Sequence, residues 1–147
     1  MLAQNPRTDL ISKTDLRSLA DGLILEDPLS IDRCVDFVIS ETKGLWHNRA
    51  RAMMCRRLKH CTLGRKQRTQ LVRAISTRLA SGEFSEQFKD QLRLAMRLDM
   101  EATLATAKKV LESNKSYPKS YMIRYAQWVL RHERGFAEMA TPLLTTC

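Results

Sequence analysis

Apolar residues recur along the chain at spacings of three and four, the period of one helix face, in successive blocks. Leu16, Leu19 and Ala20 mark a first short block that Thr14 would cap and Gly22 would end. In the next block Asp27 is the N-cap and Pro28 takes the first helical position, where its missing N–H costs nothing. Ile31, Val35 and Val38 form its stripe, and Gly44 closes it. Trp46, Ala50, Met53, Met54 and Leu58 carry the pattern through about residues 45–60. Leu71, Val72, Ile75 and Leu79 carry it through about 65–80, with Gly82 as the stop. Ser85 is the candidate cap of a further block on which Phe88, Leu92 and Ala95 share a face. The period then persists to Ser113 through Leu104, Ala107 and Leu111, so residues 86–113 are one helix or two; Asp99 in RLDMEAT predicts a break. SNKSYPK reads as a loop, and Pro118 opens a last helix with Met122, Ala126, Val129 and Leu130 on one side.

No segment sustains period-two alternation of β-branched residues, so the fold class is all-α with no sheet. Residues 1–13 read as a mobile N-terminal segment, 14–134 as a single helical domain and 135–147 as an irregular tail. After the short first block, about six helices of similar length would pair as three antiparallel hairpins. These cover about 29–62, 63–99 and 100–134, each close to 35 residues, the size of stacked helical repeats. An irregular helical bundle is the alternative. The buried set expected of either arrangement includes Val38, Met54, Leu58, Val72, Ile75, Leu92, Val110, Ala126 and Leu130.

Two stretches carry a family likeness. Ala50-Arg51-Ala52 with Leu58, and Ile123-Arg124 with Ala126 and Leu130, resemble the second helix of HEAT-like repeats, an α-solenoid family, over about residues 29–134. In that family a small or branched apolar residue precedes Arg, and small residues and a closing Leu follow. The middle unit lacks the Arg signature, and the usual Asp and Pro of the turn within a pair are largely missing. The resemblance implies a scaffold presenting a curved surface to proteins or nucleic acids.

Composition narrows the classes. A chain of 147 residues, 44% of them apolar, has one domain's length and enough apolar surface for a real core. No apolar stretch reaches the roughly 20 residues needed to cross a bilayer. MLAQNPRTDLISKTD lacks a hydrophobic signal core and carries Asp9 and Asp15, which points to a cytoplasmic protein. The four cysteines, Cys34, Cys55, Cys61 and Cys147, show no CxxC spacing and read as reduced thiols. Cys55, His60 and Cys61, with His47 or His132, are the nearest approach to a metal cluster, but burial as small apolar residues is the stronger reading. Neither metal nor cofactor is expected. A glycine-rich phosphate loop, a His-Glu-x-x-His pair and a Gly-x-Ser-x-Gly elbow are all missing, which leaves catalysis the minority reading.

Charge is the feature that separates this chain from an ordinary helical domain. Residues 1–41 hold four Lys or Arg against eight Asp or Glu, residues 42–82 hold eleven against none, and residues 83–147 hold ten against eight. A solvated helix face usually mixes signs, because Glu–Lys pairs at i+4 support it and like charges repel. Eleven uncompensated cations imply a partner. It could be internal, with Asp32, Asp36 and Glu41 turned onto the basic helices. It could be external, a nucleic-acid backbone or an acidic protein surface. The candidate polyanion-binding residues are Arg49, Arg51, Arg56, Lys59, Arg65, Lys66, Arg68 and Arg73, on two helices that would merge their charge if packed side by side. Tyr121, Tyr125 and Trp128, at i, i+4 and i+7, form a second contact stripe for bases or for a neighbouring helix. The reading is thus a binding module engaging nucleic acid, with a protein adaptor as the rival and an enzyme with a dispersed site as the third possibility.

Overall fold

The computed structural model describes residues 12–42, 46–83, 87–113 and 121–132, and every regular element among them is helical. The helices are α1 (Lys13–Gly22), α2 (Pro28–Ile39), α3 (His47–Leu58), α4 (Arg65–Ser81), α5 (Phe88–Leu98) and α6 (Met100–Ser113), followed by α7 at residues 121–132. With the short α1 included, the described residues hold seven helices. Gly44, Ser85, Pro118 and the tail at 135–147, given turn, cap or tail roles above, lie outside them.

Local chemistry sets the boundaries. Ser12 rather than Thr14 starts α1: Ser12 Oγ accepts from the Asp15 N–H at 3.2 Å, and Asp15 Oδ2 accepts from the Ser12 N–H at 3.3 Å. This reciprocal capping box satisfies two of the open donors of the first turn. Asp27 caps α2 by accepting from the Ser30 N–H at 3.0 Å. That helix stops at Ile39, well short of Gly44, because Ser40 turns extended and its hydroxyl donates back to the Phe37 carbonyl at 2.6 Å. Gly82 closes α4 at φ 77°, a left-handed turn that costs a glycine little. Asp99 divides α5 from α6. Its backbone leaves the helical region at φ −156°, ψ 87°, and its Oδ1 accepts from the Ala102 N–H at 3.0 Å.

Packing follows a regular rule. α1 lies on α3 and α3 on α5, while α2 lies on α4 and α4 on α6, so odd and even helices form two rows. The rows touch through α1–α2, α2–α3, α4–α5 and α5–α6. Residues of α7 join the odd row, where the Tyr125 ring meets Phe88 edge-on at 5.5 Å. Between the rows lie Val38, Met54, Leu58, Ile75, Leu92 and Ala126, each fully enclosed, with Val72 and Val110 at the margin. Leu130 is only partly buried: Val129, one position earlier on the helix, takes the inward place. Cys34 and Cys55 are core residues with no exposure, and burial pushes both thiols up to about 12. Among the described residues no helix is long and apolar enough to cross a membrane.

Candidate polyanion-binding groove

The basic centre divides into cations that the fold consumes and cations that it leaves uncovered. Arg51 belongs to the first kind, and its candidacy as a surface residue is corrected. It is 5% exposed. Its Nε donates to the Phe37 carbonyl at 3.3 Å, Nη1 to Asn48 Oδ1 at 3.2 Å, and Nη2 to both the carbonyl and the hydroxyl of Thr42. Arg78, also buried, donates through Nη2 to the Ile39 and Ser40 carbonyls at 2.8 and 3.0 Å and through Nη1 to Gln91 Oε1 at 2.8 Å. The two guanidiniums therefore satisfy carbonyls left open at the end of α2, where the helix dipole favours positive charge. Burial, reinforced by the neighbouring Arg78 charge, pulls Arg51 down to about 10. A signal for both was available. Arg51 keeps register with Met54, Cys55 and Leu58, and Arg78 with Leu71 and Ile75, so each sits on its helix's core face.

Arg56 and Arg57 are also engaged within the chain. Arg56 Nη1 lies 2.8 Å from Asp90 Oδ2 on α5, and Arg57 Nη1 lies 3.0 Å from Asp21 Oδ1 on α1. Internal pairing thus exists, but through Asp21 and Asp90 rather than Asp32, Asp36 or Glu41. Asp32 instead accepts from Gln67 Nε2. Lys59 is partly buried at the turn after α3, and its carbonyl accepts from Arg97 Nε at 3.0 Å.

The expected merger of the two basic helices does not form. α3 packs on α1, α2 and α5, and α4 on α2, α5 and α6, which puts the two helices in different rows. Arg49 borders a small groove of about 230 Å³ between α1 and α3, with Lys13 and Arg17, over a floor that includes Leu16, Trp46 and Met53. Lys13 Nζ lies 3.9 Å from the Trp46 ring centre. Of the aromatic stripe, Tyr121 is exposed, whereas Tyr125 and Trp128 pack on α5, with Lys89 and Arg93 at 5.5 and 5.4 Å over the Trp128 ring.

Arg65, Lys66, Arg68 and Arg73 remain, all exposed on α4. Among the described residues no carboxylate lies within ion-pair distance of any of them. Arg65, Arg68 and Arg73 line an open groove of about 600 Å³ between α4 and α6, together with Thr69, Val72 and Ser76. Its opposite wall is Leu98, Asp99, Ala102 and Thr106. The α4 positions lie three, four, seven, eight and eleven residues after Arg65, a single helix face. Arg68 Nη2 is held by the Leu98 carbonyl at 3.1 Å, which points that side chain across the groove toward the α5–α6 turn. Ser76 Oγ is shielded from solvent and has no hydrogen-bond partner among the described residues.

Sequence reasoning selected the arginines of α4 but missed the hydroxyls beside them and the contribution of α6, because pairing of α4 with α6 is a tertiary fact. Three guanidiniums against one carboxylate, with hydroxyl donors between them, make an arrangement suited to phosphate or carboxylate oxygens. Compared with known proteins, the chain matches no family model, no curated protein and no solved structure.

Proposed function

We propose that the chain is a non-catalytic helical-repeat module, arranged as a HEAT-like array, that binds a nucleic-acid backbone through the α4–α6 groove. The observation that carries this reading is the run of Arg65, Lys66, Arg68 and Arg73 on one helix, uncompensated and facing or flanking an open groove. Four like charges within nine residues repel one another, and a fold that spends Asp21 and Asp90 on other arginines leaves this set for an outside partner. The next-but-one packing of helices supports the repeat-array reading, since it is the contact rule of a solenoid. Phosphate contacts position a protein without reading bases, so sequence preference is slight. The test is a gel-shift titration with oligonucleotides at several salt concentrations. Binding at low salt with a log–log slope of about −0.7 to −0.9 per neutralised phosphate supports the proposal. No shift at tens of micromolar protein in dilute salt overturns it.

The α1–α3 groove favours a second reading, an adaptor for an acidic protein. Its apolar floor and cationic rim suit an amphipathic helix with carboxylates along its edges. That reading predicts no binding to nucleic acid at all.

A further inference from the structure

The α4 arginines are spaced for successive phosphates of one backbone. Helix rise puts Arg65 and Arg68 about 4.5 Å apart along the axis and Arg68 and Arg73 about 7.5 Å apart, a mean step of about 6 Å. Successive phosphates along one nucleic-acid backbone lie roughly 6–7 Å apart through space, in a stretched strand and in a wound duplex strand alike, so this spacing suits a backbone of either form and the shape of the groove separates the two. Flexible side chains absorb the unevenness of the two steps. Resting on the polyanion reading above, we infer that the groove between α4 and α6 seats three successive phosphates of a single nucleic-acid strand and discriminates against duplex.

Groove shape carries the discrimination. Packed helices have axes roughly 8–10 Å apart, so a channel between them admits one backbone but not a whole double helix. A duplex would rest on the rim and reach the arginine tips alone. A single backbone can settle lower, where Thr69, Thr106 and Ser76 line the walls. Ser76 Oγ is shielded from solvent and has no hydrogen-bond partner among the described residues, and a turn about its Cα–Cβ bond would present it as a donor to a phosphate oxygen at depth.

Asp99 sets the orientation. It caps α6 and lies on the wall opposite the arginines. Its charge repels phosphate, so the backbone follows α4, and the sugars and bases turn toward Ala102 and the solvent. Among the described residues none that lines the groove is aromatic, so these supply no stacking platform and base identity matters little.

Fluorescence anisotropy with a labelled oligothymidine strand of about 12 nucleotides and a mixed-sequence duplex of equal length tests this. The intact chain should bind the single strand about tenfold or more tighter than the duplex. Ser76→Ala, which removes an enclosed hydroxyl and leaves the helix sound, should weaken the single strand severalfold and leave the duplex unchanged. Asp99→Asn keeps a good N-cap and should tighten single-strand binding severalfold. Equal or tighter binding of duplex overturns this inference and leaves the polyanion reading standing. Binding of neither probe overturns both. A single-strand affinity unaltered in both variants overturns the seat within the groove.

Discussion

Arg56 Nη1 stands 2.8 Å from Asp90 Oδ2, joining α3 to α5 across the odd row of helices. Asp90 is nearly enclosed while half of the Arg56 side chain is exposed, and Arg93 approaches the second carboxylate oxygen at 3.4 Å. One acid from outside the basic window therefore neutralises a cation from inside it. The same division recurs with Arg57 and Asp21, and with Arg51 and Arg78 on the carbonyls that end α2. These four arginines hold the fold together. On α4, Arg65, Lys66 and Arg73 have no carboxylate partner among the described residues and Arg68 meets only the Leu98 carbonyl, and the functional claim rests on that difference.

Asp90→Ala should destabilise the protein by about 1–3 kcal/mol, because two guanidiniums lose an acceptor but both are exposed enough to regain water. Urea unfolding monitored by circular dichroism checks this. A loss near zero would reduce the bridge to an ordinary surface pair. Oligonucleotide affinity should be unchanged, since neither partner lines the α4–α6 groove.

Arg78→Met should cost more, about 3 kcal/mol or above, because it strips two carbonyls and Gln91 of a buried donor. Arg78→Lys should not restore stability, since a point-like ammonium cannot reproduce the planar fork. Thermal melts of the three proteins separate the cases. A fully stable lysine variant would contradict the fork argument.

The helices were legible in the sequence because their signals are local: Asp27 with Pro28, Gly82 after Leu79, and an apolar stripe on nearly every block. Ends governed by side-chain competition were not, as Ser40 shows by stopping α2 early. The candidate site was legible only on α4. Whether a cation is covered depends on which helices meet, and Asp90 lies 34 residues from Arg56 in the chain. Arg51 was misplaced for another reason. A run of arginines reads as surface by composition, whereas its register with Met54 and Leu58 assigned it inward.

The buried thiols give a pH dependence whose sign is determined. Cys34 and Cys55 rise from 9.0 to about 12 on folding, as burial penalises the thiolate. Their contribution is complete below pH 9 and is lost between pH 9 and 12, where the unfolded chain sheds protons that the folded one keeps. Stability should fall with rising pH there, by at most about 1.4 kcal/mol per unit for each thiol. Cys55→Ala should flatten the slope relative to the parent protein. In the folded state at pH 8, an aromatic disulfide reagent should label Cys61, which is partly exposed, and spare Cys34 and Cys55. Rapid labelling of either buried thiol would contradict their placement.

Leu58 is fully enclosed at the end of α3. Leu58→Ala should cost about 2–5 kcal/mol, the range for truncating a core leucine. A denaturant midpoint within error of the parent would remove Leu58 from the core and with it the facing assigned to α3.

The most direct measurement for the central claim compares oligonucleotide affinity in about 50 mM salt across three folded proteins. These are the parent chain, Arg65→Glu with Arg73→Glu, and Lys108→Glu with Lys109→Glu, the last pair being exposed cations of α6 that do not line the groove. Each double variant changes net charge equally, so a general field effect would weaken both alike. The account predicts that the α4 variant loses binding by about a hundredfold or more while the α6 variant stays within about tenfold of the parent. Equal losses in the two variants, or full binding by the α4 variant, would contradict it.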